Sequence, residues 1–229
     1  MSKEKAEELI RNAQREGRAT LSEFEAKQLL AAYDIPVTHE QLVRERTQLA
    51  AAARRIGYPL VMKGCAARIA HKTEKNLVRV DVRNEAEALA NYDALMAAMA
   101  AEADAAVLVQ EMVAGRRELV VGLTRDPQFG ACVMFGLGGI FTEILKDITF
   151  RKAPLELRDA MEMMHEIKGR KILEAVRGMP AADTQALARI LMQVGRIGLE
   201  LEAVAEIDLN PVILSGAKPV AVDALIVLK

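Results

Sequence analysis

The spacing of apolar positions divides the chain into short strands and amphipathic helices, without a regular strand–helix–strand alternation. Residues 3–18 are charged, with Leu9 and Ile10 as the chief large apolar positions, and predict an exposed helix. A better-marked helix follows. Ser22 and Glu25 have the spacing of a capping box, ahead of Phe24, Ala26, Leu29, Leu30 and Tyr33. This helix stops before Asp34-Ile35-Pro36, because the residue preceding a proline disfavours helical torsions. Thr47 is the expected cap of another helix, Gln48 to Ile56, with Gly57 as its left-handed terminus. Pro59-Leu60-Val61-Met62-Lys63 then reads as a short buried strand with Lys63 at its end.

Asn76 to Val82 alternates more cleanly and predicts a strand with one wet face. Asn84 with Glu87 caps a long Ala-rich helix reaching about Ala101. Further strands are expected at Ala106 to Met112, Arg117 to Thr124 and Ala131 to Phe135. After a glycine-rich turn and Phe141 to Phe150, residues 155–199 read as mostly helical. The chain returns to strand around Ala203 to Leu209 and Val220 to Val227. Runs of strands with interspersed helices and close hairpins give an α+β class.

Composition narrows the function classes. With 31 basic and 32 acidic residues, the net charge of -1 argues against gripping nucleic acid by bulk charge or binding a membrane through a polybasic face. Aromatics at 3% and the absence of Trp weaken base stacking further. A 229-residue chain buries roughly 70–75% of its unfolded surface and needs no disulfide or metal staple. Cys65 and Cys132 are far apart, fit no metal-ligand spacing and suit a reducing compartment. The charged N-terminus has no apolar segment behind it, as a signal peptide would, and the apolar runs are too short to span a bilayer. The expectation is a cytoplasmic chain.

Five segments carry candidate chemistry. Phe135-Gly136-Leu137-Gly138-Gly139-Ile140-Phe141 can present backbone N–H groups to a phosphate, but it matches neither the dinucleotide fingerprint nor the P-loop. Alone, such a segment is more often a tight strand-to-strand turn. Lys63 leaves an apolar strand, where an ammonium needs an anion, an acidic side chain or a route to solvent. His71-Lys72-Thr73-Glu74 is a polar loop whose imidazole is nucleophilic at neutral pH, or simply a solvated hairpin loop. Asp208 and Asn210 share a face on a strand, and Asp223 interrupts an apolar strand across a hairpin. Two carboxylates and an amide oxygen form a hard set suited to magnesium, or an Asx-Pro turn beside a hydrogen-bonded Asp. Gln110-Glu111-Met112-Val113 with Glu118 offers free strand-edge groups and a carboxylate, able to meet an adenine edge and ribose hydroxyls.

Taken together, these residues resemble the ATP-grasp fold, and more narrowly the β subunits of NDP-forming acyl-CoA synthetases related to succinyl-CoA synthetase. The resemblance runs from Leu21 to Asp223. It rests on Leu21 to Lys27 with Tyr33-Asp34-Ile35-Pro36, on Pro59 to Lys63, and on His71-Lys72-Thr73-Glu74. It continues through Arg125 to Gly130, Phe135 to Phe141, Glu143, Lys146-Asp147, Arg151 and Glu206 to Pro211. It implies two α+β lobes clasping a nucleotide, a small lobe over 25–108 and a large one over 1–24 and 109–229. Lys63 is implied to contact nucleotide phosphates, Gln110, Glu111, Met112 and Val113 the adenine, and Glu118 the nucleotide nearby. Asp208, Asn210 and Asp223 are implied to hold Mg2+. His71 would carry a phosphoryl group to ADP from a CoA-binding α subunit that bears the first phosphohistidine. The implied reaction is acyl-CoA + ADP + phosphate ⇌ carboxylic acid + CoA + ATP. A non-catalytic nucleotide-sensing or assembly module of an acyltransferase system is the alternative, and a carboxylate–amine ligase a third. Lys75 and Asn76 stand where the family usually carries glycine, and Asn is among the residues that tolerate left-handed backbone.

Overall fold

The structure is a computed structural model that describes residues 3–66, 76–139 and 144–229. The chain divides into two units, one formed by Met1–Val37 with Val113–Lys229 and the other by Thr38–Met112. The second unit therefore interrupts the first in sequence.

The Thr38–Met112 unit is a four-stranded antiparallel sheet with two helices. Its strands are β1 (Glu40–Val43), β2 (Leu60–Cys65), β3 (Val78–Val82) and β4 (Ala106–Glu111), in the order β1-β4-β2-β3. The helices that precede and follow the β2–β3 pair are α3 (Leu49–Ile56) and α4 (Glu85–Ala98). Leu49, Ala52 and Ala53 of α3 and Ala88, Tyr92 and Leu95 of α4 bury against Leu60, Met62, Val107 and Val109. On the edge strand β3, Val80 and Asp81 together face one residue of β2, and Asp81 has φ 58°. This bulge breaks the regular edge that could otherwise pair with another chain.

The larger unit begins with α1 (Lys3–Arg15) and α2 (Glu23–Ala32). Its sheet contains β5 (Glu118–Asp126), β6 (Gly130–Leu137), β7 (Ile148–Lys152), β8 (Val204–Ser215), β9 (Lys218–Ala221) and β10 (Leu225–Leu228). The order is β10-β8-β5-β6-β7, with β9 also paired to β8, and every pair is antiparallel. Helices α5 (Leu157–Glu166) and α6 (Thr184–Glu200) join α1 and α2 in the core on one sheet face. Ala26, Leu29 and Leu30 of α2 bury in this core, so that helix lies with the larger unit and the division falls at Thr38. The reading from sequence opened the small lobe at residue 25.

Local signals explain most boundaries. The Ser22–Glu25 capping box is present, and Asn84 accepts from the Glu87 N–H at 2.9 Å. Thr47 caps nothing: it lies within a 3-10 turn, Arg46–Gln48, and Glu45 with Gln48 closes the capping box instead. Gly57 has positive φ but ψ 141°, so it leaves the helix in an extended rather than a left-handed helical conformation. Asn76 adopts φ 55°, the left-handed backbone that asparagine accommodates. The expected strand Val220 to Val227 is in fact two strands, β9 and β10, separated around Asp223. Among the described residues no helix is long and apolar enough to cross a membrane.

Asn84→Ala is expected to destabilise the chain by about 1 kcal/mol, and Thr47→Ala by less than about 0.5 kcal/mol. Urea denaturation midpoints at unchanged m-value check both.

Candidate functional site

In the Thr38–Met112 unit, β2 is the fully buried strand between β3 and β4. Leu60 and Met62 point into the helix-covered core, which leaves Val61 and Lys63 on the other face. Val61 pairs with Gln110 and Lys63 with Leu108, so Lys63 and Gln110 are diagonal neighbours on that face. Both are buried polar side chains, at 5% and 2% exposure. The sequence thus brings a cation and an amide together on one face of the sheet. Glu111 points the other way along the strand and accepts the His39 N–H at 2.8 Å, which ties the ends of β1 and β4. Met112 is exposed and closes this unit, and the half-buried Val113 opens the next segment of the larger one. His71, with Lys72, Thr73, Glu74 and Lys75, lies outside the described residues, as do Ile140, Phe141 and Glu143.

In the larger unit, separate stretches of sequence converge on the start of β5. The Gly138 N–H donates to the Glu118 carbonyl at 2.9 Å. A β-carbon on Gly138 would fall 2.5 Å from the Leu119 carbonyl, so the two backbones touch where only glycine fits. Gly139 has φ 58°, and a β-carbon there would collide with the Glu118 carboxylate. Its N–H donates to Asn210 Oδ1 at 3.1 Å. Glu118, Gly139 and Asn210 are therefore neighbours, although 92 residues separate the first from the last.

The strand carrying Asn210 is locally irregular. Leu119 pairs with Val212 and Val121 with Leu209, so Val120 alone faces both Asn210 and Pro211. Pro211 has no N–H to give the ladder, and a bulge there re-aims its neighbour's side chain. Across from it, Ala221 pairs with Val212 and Leu225 with Asp208, which sets the break at Asp223 level with the bulge. Ile207 and Leu209 enter the core while Asp208 and Asn210 occupy the opposite face.

That opposite face forms an open concavity of about 370 Å³ whose walls include Gly122, Met134, Phe150, Glu206, Asp208 and Asn210. The Asp208 carboxylate is reachable by solvent, yet the walls around it displace enough water to raise its pKa above the ordinary 3.8. Repulsion from Asp223 and then Glu206 pushes in the same direction. Perturbed carboxylates in clefts mark candidate sites, and a cation bound among them would relieve the repulsion. Among the described residues, no three or more His, Cys, Asp or Glu side chains converge as a metal cage. Magnesium asks less: one or two carboxylates with water and phosphate oxygens complete its shell. Asp208 and Asp223 meet that need, and Asn210 Oδ1 keeps one lone pair beyond the Gly139 hydrogen bond.

Two supporting residues, both within the segments that carry the family resemblance, act through contacts that the sequence alone does not show. Asp147 accepts the Lys168 and Gly169 N–H groups at 2.8 and 2.6 Å, and its carbonyl accepts from Leu137. Arg125 donates to the carbonyls of Val204, Gly198 and Leu201, anchoring the start of β8 to the end of α6. Their amide and carbonyl partners lie tens of residues away, so only the fold shows what they hold.

Comparisons with known proteins bear on the family and the fold. The ATP-grasp domain family matches residues 12–228. The chain is 42% identical over 228 residues to the acetate–CoA ligase [ADP-forming] I subunit beta of Pyrococcus furiosus, covering 98% of each chain. It is 39% identical to the acetate–CoA ligase [ADP-forming] I of Archaeoglobus fulgidus, where the match spans 93% of this chain and 31% of that longer one. Among solved structures it resembles acetyl-coenzyme A synthetase 1 of Ca. Korarchaeum cryptofilum. That protein was solved with coenzyme A and Mg-AMPPCP, its phosphohistidine segment pointing towards the nucleotide binding site. The TM-score is 0.87 at 40% identity, over 98% of this chain and 100% of that one.

A carboxyl group whose pKa rises on folding withdraws stability as the pH climbs from its unfolded to its folded value. Asp208→Asn is therefore expected to raise the metal-free Tm at pH 7, with the gain vanishing below about pH 3.9, where both forms are neutral. Thermal scans across pH check the sign. Gly139→Ala is expected to cost on the order of 1–2 kcal/mol in urea unfolding, because it adds left-handed strain and a collision with Glu118.

Proposed function

The chain belongs to the ATP-grasp domain family, and on that premise we propose that it is the nucleotide-binding β subunit of an ADP-forming acid–CoA ligase. The reaction is acyl-CoA + ADP + phosphate ⇌ carboxylic acid + CoA + ATP, completed with a CoA-binding partner subunit. The observation that carries this reading is the end-to-end correspondence, at 42% identity, with a chain named as a separate β subunit. A fused relative in which the matched part is only 31% of the chain supports a division of labour between this part and the remainder.

The residues take the following roles. Lys63 offsets negative charge on the phosphates, and Gln110 with the backbone through Val113 receives the adenine. Glu118 holds the ribose side of the nucleotide. Asp208, Asn210 and Asp223 hold Mg2+. When bound, magnesium neutralises charge on the phosphate oxygens and fixes their orientation. His71 accepts the phosphoryl group from the first phosphohistidine of the CoA-binding subunit: an imidazole nitrogen lone pair of His71 forms the new P–N bond as the P–N bond of the donor breaks and the first histidine leaves as free imidazole. Attack by the ADP β-phosphate oxygen then breaks that P–N bond, giving ATP and free imidazole. Phosphoryl transfer of this kind depends chiefly on positioning and charge stabilisation.

Retention of Lys63, His71, Glu118, Asp208, Asn210 and Asp223 favours catalysis over a non-catalytic assembly module. So does the raised pKa of Asp208, since crowding repelling carboxylates in a concavity carries a stability cost that an assembly role would not require.

The chain incubated with its CoA-binding partner, acyl-CoA, ADP, phosphate and Mg2+ is expected to form ATP. Asp208→Ala should lower kcat roughly 100-fold or more, and His71→Ala should abolish turnover, with assembly preserved in both. Tight assembly without ATP formation from any acyl-CoA tested would overturn the reading.

A further inference from the structure

A second concavity in the larger unit shares no lining residue with the one that holds Asp208. It opens between the segment leading into β5, the turn around Arg177 and the β8–β9 turn, and measures about 540 Å³. Arg116, Arg117 and Arg177 line it, and among its described lining residues there is no Asp or Glu.

Arg117 is only 3% exposed. Its guanidinium donates to the carbonyls of Ile172 and Glu174 at 3.1 and 3.3 Å, and to those of Pro180 and Gly216 at 2.8 and 2.7 Å. Its Nε has no hydrogen-bond partner. These acceptors are all neutral peptide groups. They satisfy N–H donors but cancel no charge, so a full positive charge stands behind the wall of the concavity.

The mouth is also shaped. Arg177 has φ 47° and Gly178 φ 80°. Reciprocal bonds between Val176 and Met179, at 3.1 and 2.9 Å, close a two-residue turn around them. Left-handed torsions at both central residues define a rigid hairpin turn, which fixes the base of the Arg177 side chain. The β-carbon positions of Gly178 and Gly216 face open space. Arg116 and Arg177 are both exposed and carry planar forks that match pairs of phosphate oxygens.

We infer that this concavity is an anion site taking a phosphoryl-bearing ligand, a phosphate or diphosphate group, gripped by Arg116 and Arg177 with Arg117 as fixed positive background. The group belongs either to a free inorganic anion or to a nucleotide-type metabolite. The site uses none of the residues assigned to nucleotide or magnesium, so it stands whether or not that assignment holds.

The test uses the full chain, with inorganic pyrophosphate and ADP as probes at low ionic strength and without divalent metal. Calorimetry gives affinity, and 15N-resolved arginine Nε–H resonances report the site directly. Saturable shifts at Arg116 and Arg177 are expected. Binding should weaken about tenfold or more in the Arg116→Ala/Arg177→Ala double variant. The Lys/Lys double variant should retain part of the affinity, since it keeps the charge and loses the fork. Tighter binding of pyrophosphate than of ADP points to a free anion and the reverse order to a nucleotide-type ligand, and either supports the site. Undiminished affinity in the double alanine variant overturns it, as does affinity lost in Lys63→Met instead. Shifts that fail to saturate below tens of millimolar mark an adventitious ion only and overturn it as well.

Discussion

The approach of Gly138 and Gly139 to the start of β5 is the constraint on which the rest of the larger unit's chemistry depends. Two backbones meet there at a separation that admits no β-carbon at Gly138. The contact fixes the Glu118 carbonyl through one hydrogen bond and Asn210 through another. Without it, the strand bearing Glu118 and the bulge bearing Asn210 would share a sheet but have no common corner. Asp147 contributes from beyond the same turn, its backbone bonded to Leu137 and its carboxylate to the amides of Lys168 and Gly169. A glycine pair, an asparagine and an aspartate thus set the geometry before any ligand arrives.

Beside that corner the molecule accepts an unfavourable arrangement. Asp208 and Glu206 line a concavity with a largely apolar surface, and desolvation, followed by repulsion from Asp223 and Glu206, raises the Asp208 pKa on folding. A sequence selected for stability alone would place a neutral side chain here. A cation bound there would relieve the repulsion, in keeping with the magnesium role proposed for these carboxylates. The smaller sheet shows the complementary arrangement, with the cationic Lys63 buried beside Gln110 on a strand otherwise apolar.

Much of this was legible in the sequence because its causes are local. Ser22 with Glu25 and Asn84 with Glu87 act within four residues of themselves, and both caps form where the spacing places them. Alternation along β8 likewise put Asp208 and Asn210 on one face. Thr47 failed because Glu45 with Gln48 forms a competing box that encloses it. The break at Asp223 was hidden because Val220 to Leu225 is apolar throughout apart from that one residue, and only pairing with β8 on either side of the bulge divides it. Arg117 and Arg125 were invisible as clamps because their acceptors are backbone carbonyls 55 to 99 residues distant. A carbonyl has no side-chain identity to read.

The interruption of one unit by the other bears on the order in which the chain acquires structure. Strands β1 and β4 lie side by side, with Glu40 facing Gln110 and Glu111 holding the His39 amide, so residues 38–112 contain all their own pairing partners. The N-terminal segment is different. Leu21 donates to Ile226, Val37 bridges to Ala221, and the carbonyl of Ala19 accepts from Leu228. On a chain made from the N-terminal side, residues 19–37 must wait for residues 221–228, whereas the strands of 38–112 pair among themselves before those partners are made. Vectorial synthesis therefore supplies every strand beside Lys63 before it supplies Asp208 and Asp223.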